Sequence, residues 1–305
     1  MSTFFQLLIL GSGSAIPKKS KNHTAQLVIH KNVHLLVDCG EACQIRLRES
    51  GISVQRIDYI FISHLHGDHY LGLPGLISSM NLLGRERDLT IIGPPMIKKV
   101  IDLHFSLSKS ASAFRIHYTF TQNKSREKVL EKDDLSVYSF PLKHKIPTTG
   151  FHFVSIPTLR KLIPEKLEEY NVPKHLRKGI AKGLDYESPM GKILNNELTR
   201  DPGPVRSYAY CADTAYFPEI VDWIINSDLI YHESSFLEAD AEKAAATRHS
   251  TAIQAAKIAH ASQAGKLLIG HFSSKYNDDE AFIREAKSNF QHVEVAVEGQ
   301  WYEIP

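Results

Sequence analysis

Ile57-Asp58-Tyr59-Ile60-Phe61-Ile62 runs directly into Ser63-His64-Leu65-His66-Gly67-Asp68-His69, so a strand-like apolar stretch ends in three imidazoles and a carboxylate. Neutral imidazole and carboxylate are ligand types that suit Zn²⁺, and core packing gives no reason for histidines this close together. A strand that turns at Gly67 projects His64 and His66 to one side and lets Asp68 and His69 reach a second point, which suits two metals rather than one. Capping of a helix beginning near Leu73 asks for a single such residue, so capping does not explain the run.

One motif supplies too few ligands for two ions, and the rest of the chain offers single ligands in equivalent places. His144 follows Leu135-Ser136-Val137-Tyr138-Ser139-Phe140-Pro141-Leu142, Asp213 follows Val205-Arg206-Ser207-Tyr208-Ala209-Tyr210-Cys211, and His271 follows Lys266-Leu267-Leu268-Ile269-Gly270. Each stands at the end of a short run with strand-like β-branched and aromatic content. Ligand sites in α/β architectures collect outside the carboxyl ends of strands, so four strand ends are expected to converge on one edge. Cys211 is a second ligand-type residue close to Asp213 and at spacing two shares its strand face; Asp213 is preferred because a carboxylate bridges two ions.

Composition fits this reading. At 305 residues, 43% hydrophobic and 23% charged, the chain can bury a sizeable core, and neither disorder nor a fibrous repeat is indicated. Cys39, Cys43 and Cys211 are an odd number without a C-x-x-C pair, so neither a disulfide framework nor a thiolate zinc knuckle is indicated. Phe4-Phe5-Gln6-Leu7-Leu8-Ile9-Leu10 lacks a basic leader and the length to span a bilayer; it reads as the first strand of a cytoplasmic protein. A net charge of +2 is weak for a nucleic-acid protein, so any such attraction must be local.

Patterning predicts strands near 4–10, 25–30, 33–38, 57–62, 89–92, 115–120, 135–142, 150–155, 205–211, 228–232, 266–270 and 293–303. Helices are predicted near 41–49, 74–83, 95–106, 217–225, 237–246, 251–262 and 279–289, the sixth with Ser250 as its N-cap and His249 just outside. Two groups of strands with intervening helices imply an α/β fold, two sheets covered on the outside as an αββα sandwich. From about Thr158 to Asn195 the alternation stops, and basic residues gather around Lys174, Arg177, Lys178 and Lys182. Glu165, Glu168 and Glu169 dilute that charge, so an ordinary solvated helical hairpin is the competing reading.

An H-x-H-x-D-H motif followed by a distant His, Asp and His resembles the metallo-β-lactamase fold, over nearly the whole chain. Within that superfamily the chain most resembles the ribonuclease Z family, endonucleases that trim the 3′ end of precursor tRNA. The resemblance rests on Leu10-Gly11-Ser12-Gly13-Ser14-Ala15-Ile16-Pro17, on the motif extended through Tyr70-Leu71-Gly72-Leu73-Pro74-Gly75, on His232-Glu233, and on Arg248-His249-Ser250-Thr251-Ala252.

The resemblance implies a zinc-dependent endoribonuclease with two Zn²⁺ per subunit, where Mn²⁺ or Fe²⁺ suits the same ligands. His64, His66 and His144 would hold one ion, Asp68, His69 and His271 the other, and Asp213 would bridge them. Hydroxide, available near neutral pH because Zn²⁺ lowers the pKa of bound water from about 15.7 to about 7, attacks the phosphodiester. Asp68 is expected to orient the water and take its proton, and His249, paired with Glu233, to protonate the departing ribose oxygen. Products are a tRNA 3′-hydroxyl and a trailer with a 5′-phosphate.

By the same resemblance, 1–305 is a single domain, 158–195 is an inserted protruding arm that grips the tRNA, and the subunits form a homodimer without membrane or organic cofactor. Lys174, Arg177, Lys178 and Lys182 are the expected phosphate contacts. Two alternatives remain, a small phosphodiester or thioester hydrolase on the same dinuclear fold and a non-catalytic zinc-stabilised RNA-binding protein. The scattered His23, His30, His34, His104, His117, His152, His175, His260 and His292 lack ligand spacing, His152 being the nearest miss. Gly11-Ser12-Gly13 lacks the third glycine of a nucleotide loop and reads instead as a tight turn at the rim of the site.

Overall fold

The computed structural model describes residues 5–16, 18 and 21–305; Phe4 and Pro17, which the sequence reading used, lie outside them. Strands run in chain order as β1 (Phe5–Gly11), β2 (Ala25–His30), β3 (Val33–Val37), β4 (Ile57–Phe61), β5 (Leu89–Gly93), β6 (Ile116–Phe120), β7 (Glu127–Lys132), β8 (Leu135–Leu142) and β9 (Thr148–Ser155). They continue as β10 (Lys161–Leu162), β11 (Tyr186–Ser188), β12 (Gly191–Ile193), β13 (Thr199–Arg200), β14 (Arg206–Cys211), β15 (Leu229–Glu233), β16 (Lys266–Gly270), β17 (Val293–Val295) and β18 (Trp301–Glu303). Two seven-stranded sheets result, in the orders β18-β1-β2-β3-β4-β5-β6 and β17-β16-β15-β14-β9-β8-β7.

Period-two alternation decides which face each side chain covers. Leu7 and Ile9 of β1 face a core between the sheets, with Val37 and Phe61 from the same sheet and Phe151, Phe153, Tyr208, Tyr210 and Tyr231 from the other. Leu8 and Leu10 face outward, onto the helices Cys43–Glu49, Gly72–Leu82 and Met96–Leu107. Likewise Ala209, Cys211 and Ile230 face the helix Ala252–Ala261 on the far side of the second sheet. The layers are therefore helix, sheet, sheet, helix, the expected αββα sandwich.

Several elements differ from the sequence reading. The expected strand at 293–303 is two: Val293–Val295 pairs with β16, and Trp301–Glu303 crosses to the other sheet to pair with β1. A turn through Gly299, at φ +82°, makes the crossing. Glu127–Lys132 forms an unforeseen edge strand whose charges hide its hairpin with β8. The helix expected at 217–225 is a 3₁₀ turn over Pro218–Trp223, and that at 237–246 starts with a 3₁₀ turn over Glu238–Asp240. Thr251, not Ser250, caps the helix Ala252–Ala261, in a capping box with Gln254, while Ser250 Oγ donates to Thr214 O.

Between β9 and β14 the chain builds a small unit with its own apolar cluster, Leu167, Val172, Ile180, Tyr186, Ile193 and Leu198. Its base is closed by the antiparallel pair β10 and β13, so the unit extends beyond Asn195 to Arg200. Among the described residues no helix is long and apolar enough to cross a membrane.

Candidate metal centre

β4 is paired on both sides in its sheet and ends at Phe61; two residues later Ser63 turns the chain, donating from N and Oγ to Asp38 at 2.8 Å each. His64 follows, fully buried, and the short helix Gly67–Tyr70 then presents Asp68 and His69. Gly72 begins the next helix so close to the loop after Asp38 that a Cβ would lie 2.1 Å from Gly40 O, which fixes the distance between the two segments. From the facing sheet, β8 delivers His144, β14 delivers Asp213, and β16 delivers His271 at φ +59°. The strands β14, β15 and β16 are parallel, with Cys211 level with His232 and Glu233 level with Gly270, so Asp213, Glu233 and His271 leave the same sheet edge.

The seven residues meet. One ligand atom each from His64, His66, His144 and Asp213 lies within 4.8 Å of the others, and the same holds for Asp68, His69 and His271. Asp213 Oδ2 stands 3.6 Å from His64 Nε2, 3.7 Å from His144 Nε2 and 3.5 Å from His69 Nε2, while its Oδ1 is 3.2 Å from His271 Nε2. Asp68 Oδ2 is 3.6 Å from His69 Nε2 and 3.4 Å from His271 Nε2. A tetrahedral shell with bonds of about 2.0–2.2 Å has edges of about 3.3–3.6 Å, which these separations match. Asp213, whose Oδ2 lies against His64, His144 and His69 and whose Oδ1 lies against His271, is the side chain in reach of both sets.

Charge argues for a cation in the same place. His69 Nε2 and Asp213 Oδ1 are buried and make no well-aligned hydrogen bond among the described residues. Burial lowers His64, His66 and His144, leaving neutral imidazoles with lone pairs to offer. Burial acts the same way on His69, but Asp213, Asp38 and Asp68 overcome it and raise its pKa well above the ordinary value. Asp68 and Asp213 stay ionised against their own burial because His69 and His271 hold them down. Buried carboxylates crowded onto imidazole nitrogens fit a divalent metal. The donor set is all nitrogen and oxygen, because Cys211 packs into the helix-side core, where burial pushes its thiol up. The shared face that spacing two suggested fails, since β14 ends at Cys211.

Outer partners orient the rings. His69 Nδ1 donates to Asp38 Oδ2 at 2.7 Å, His144 Nδ1 to Arg248 O at 2.8 Å, and His271 Nδ1 lies 3.1 Å from Ser235 Oγ. Each bond commits Nδ1 and leaves Nε2 to the cluster. Asp38 is itself held by the Tyr210 hydroxyl at 2.6 Å. The sequence reading missed Asp38, although it obeys the same rule as the ligands: an apolar strand ending in a carboxylate, followed by Cys39-Gly40.

Beside the cluster, His249 Nδ1 donates to Glu233 Oε1 at 2.8 Å, and Glu233 also accepts from Thr214 N and Ser235 N. Burial pulls the imidazole down, yet Glu233 outweighs it and raises His249 to about 9. His249 also lies within 4.8 Å of ligand atoms of Asp213 and His271, so it borders the centre directly. Lys174, Arg177, Lys178 and Lys182 stand apart from this cluster, on the unit between β9 and β14, the three lysines exposed. None of the four takes part in an ion pair among the described residues. His152 is buried against Ser227 and Arg126, its pKa lowered to about 4 by burial, and belongs to the packing.

Residues 5–156, which include the motif and His144, match the family described as Anti-Pycsar protein Apyc1. In three dimensions the chain is similar to the short form of human tRNase Z, with a TM-score of 0.71, 24% identity and coverage of 98% of this chain and 99% of that one. It is also similar to the metallo-β-lactamase fold protein YhfI of Bacillus subtilis, with a TM-score of 0.70, 18% identity and 98% coverage of each chain. Those likenesses establish the metallo-β-lactamase fold. Ribonuclease Z of Parabacteroides distasonis is 40% identical over 296 residues, 97% of each chain, and ribonuclease Z of Cytophaga hutchinsonii is 41% identical over 302 residues, 98% of this chain and 96% of its own. With identity at that level across both halves of the sandwich and the unit between them, this chain belongs to the ribonuclease Z family.

Proposed function

We propose that this chain is a metal-dependent endoribonuclease that removes the 3′ trailer from precursor tRNA. The observation that carries it is the metal-type cluster with the Glu233–His249 pair at its side, in a chain of this family. His64, His66 and His144 would hold one cation, Asp68, His69 and His271 a second, and Asp213 would serve both. Zinc suits the His/Asp donor set, and Mn²⁺ or Fe²⁺ suits it too. When bound, the cations supply water acidified to near neutral pH and positive charge against the phosphate oxygens.

The residues do the rest. Asp68 orients the attacking water and accepts its proton, a task for which an ionised carboxylate is needed. His249 carries a proton at neutral pH because Glu233 holds it, and delivers that proton to the ribose 3′ oxygen as the bond to phosphorus breaks. The tRNA leaves with a 3′-hydroxyl and the trailer with a 5′-phosphate. Tyr210 and Asp38 keep His69 aligned throughout.

The unit between β9 and β14 is proposed as the arm that grips the tRNA body, through Lys174, Arg177, Lys178 and Lys182 and without reading sequence. Leu82, Leu83, Leu103 and Leu107, 58–88% exposed on neighbouring outer helices, support a homodimer. The substrate puts the work in the cytoplasm. A hydrolase of small substrates has no use for such an arm, and a non-catalytic RNA-binding protein has none for the Glu233–His249 pair. The test is incubation of the purified protein with a precursor tRNA bearing a trailer, with and without chelator, followed by mapping of the ends. Cleavage after the discriminator base that leaves a 3′-hydroxyl and stops on chelation is expected; intact RNA in the presence of bound metal rejects the reading.

A further inference from the structure

The metal-type residues fall into two sets, and different parts of the fold support them. His64 is reached through Ser63, whose Oγ lies 3.0 Å from its Nδ1. His144 is reached through Arg248, which accepts from His144 Nδ1 at its main-chain oxygen and donates from its guanidinium to His144 O at 2.7 Å. His271 is held from a third direction. Its backbone is left-handed, at φ +59°, a conformation that a residue with a Cβ keeps only where its surroundings hold it. Ser235 Oγ donates to its carbonyl at 2.9 Å and Ser12 O accepts from its N–H at 2.8 Å, so the residue is clamped at both ends.

Ser12 lies just past β1 and is fixed in turn by Glu298, a partly buried carboxylate that takes no part in the chemistry. Glu298 Oε1 accepts from Ser12 N at 3.1 Å and from Asn22 N at 2.8 Å, and Oε2 accepts from Asn22 Nδ2 at 2.6 Å. The carboxylate thus ties together both ends of the connection between β1 and β2. Glu298 itself sits where the chain crosses between the sheets, with Ala296 N donating to Ile269 O at 2.9 Å and Gly299 N to Ile9 O at 2.8 Å. The Asn22 end bears on the other two ligands of the His271 set. Thr24 O accepts from Gly40 N at 3.1 Å, and Cys39, next to Gly40, donates from N to His69 O at 2.8 Å. Gly40 is wedged against Asp68, since a Cβ there would lie 2.4 Å from His23 Cβ and 2.5 Å from Asp68 O. Asp68, His69 and His271 therefore share a support that Glu298 closes, while His64 and His144 have their own. Resting on the reading of the cluster as a two-cation centre, we propose that Glu298 is a positioning residue for the cation that Asp68, His69 and His271 would hold, acting on His271 through Ser12.

The experiment challenges zinc-loaded protein with a chromogenic chelator of known affinity, for the wild type, Glu298→Ala and Glu298→Gln. Loss of an outer partner weakens a metal site about 10- to 100-fold, so Glu298→Ala should weaken one of two bound ions by that factor and leave the other at wild-type affinity. Glu298→Gln keeps an oxygen for Ser12 N and Asn22 N and should keep both ions, the Asn22 amide turning to present its oxygen to the new NH₂. Added to His271→Ala, Glu298→Ala should cost no further affinity, because the ligand it positions is gone. Should alanine prevent folding, Glu298→Asp, one methylene shorter, is read in its place with the same expectation. Equal weakening of both ions would show a general structural role and unchanged affinity none at all; either overturns the proposal. A glutamine variant that loses as much as alanine, or a further loss in His271→Ala, also overturns it. A wild type that binds fewer than two ions rejects the two-cation reading and the proposal with it.

Discussion

Replacing Glu233 with glutamine removes the charge that faces His249 at nearly unchanged volume; of the bonds from Thr214 N to Oε1 and from Ser235 N to Oε2 it keeps only one. Burial by itself lowers the imidazole; Glu233, 2.8 Å away and wholly buried, outweighs it, and with Asp213 adding to the effect His249 rises to about 9. A histidine with a raised pKa holds its proton below that pKa and loses it as the pH climbs through it. At pH 7.5 a group with a pKa of about 9 is roughly 97% protonated, and one returned to about 6.5 is roughly 9% protonated. Glu233→Gln is therefore expected to lower kcat on precursor tRNA at least about 10-fold at that pH, up to the 10²- to 10⁴-fold that a general acid contributes. The basic limb of the kcat profile should move down from about 9. An activated aryl phosphodiester, whose leaving group needs no proton, should show little of this loss. The assay is kcat against pH on both substrates, with bound metal measured in each preparation. A basic limb that stays in place, or equal losses on both substrates with metal retained, would refute the assignment of His249 as the donor and Glu233 as its support.

Three other perturbations probe different parts of the centre. Asp68→Ala should nearly abolish cleavage, and a variant with wild-type turnover at full metal occupancy would show that another group takes the water's proton. Asp38→Asn leaves His69 Nδ1 facing an uncharged amide and should weaken metal binding about 10- to 100-fold, read by competition with a chelator of known affinity; unchanged affinity would reduce Asp38 to a packing role. Alanine at Lys174, Arg177, Lys178 and Lys182 together should flatten the dependence of log affinity for precursor tRNA on log salt by about 0.7–0.9 for each phosphate that is no longer neutralised. A salt slope equal to that of the wild type would place the phosphate-binding cations elsewhere.

What the sequence discloses about this centre follows from how strands end. His64, His144, Asp213 and His271 each come within a few residues of an apolar run, and a polar residue at the end of a buried strand has nowhere to project except the sheet's edge. That local signal needs no tertiary knowledge, so the ligand-type residues are legible in the chain alone. Asp38 gives the same signal, but it stands alone after β3 with no histidine beside it, and its task becomes visible only when His69, 31 positions away, is seen against it. Pairing decisions are further out of reach. The charges of Glu127, Lys128, Glu131 and Lys132 read as a solvated loop until β8 is there to bond them, and nothing local tells Val293–Val295 and Trp301–Glu303 to join different sheets.

A surface groove lined by Phe120, Asn123, Lys124 and Pro147 lies at the far end of this scale, since these residues come from strand ends and loops that share no motif. The division has a physical cause. A metal ligand is defined by its donor atom, so residue type and position within a strand go far toward finding it. A surface that receives a nucleotide is defined by shape, which several chain segments create jointly, and the same side chains in another topology would form no groove. Sequence can therefore suggest that a phosphodiester is cut while leaving open where each side of the cut lies. Here the order β15-β14-β9 puts Glu233 and the start of β9 on either side of Asp213, a relation that no local stretch of the chain states.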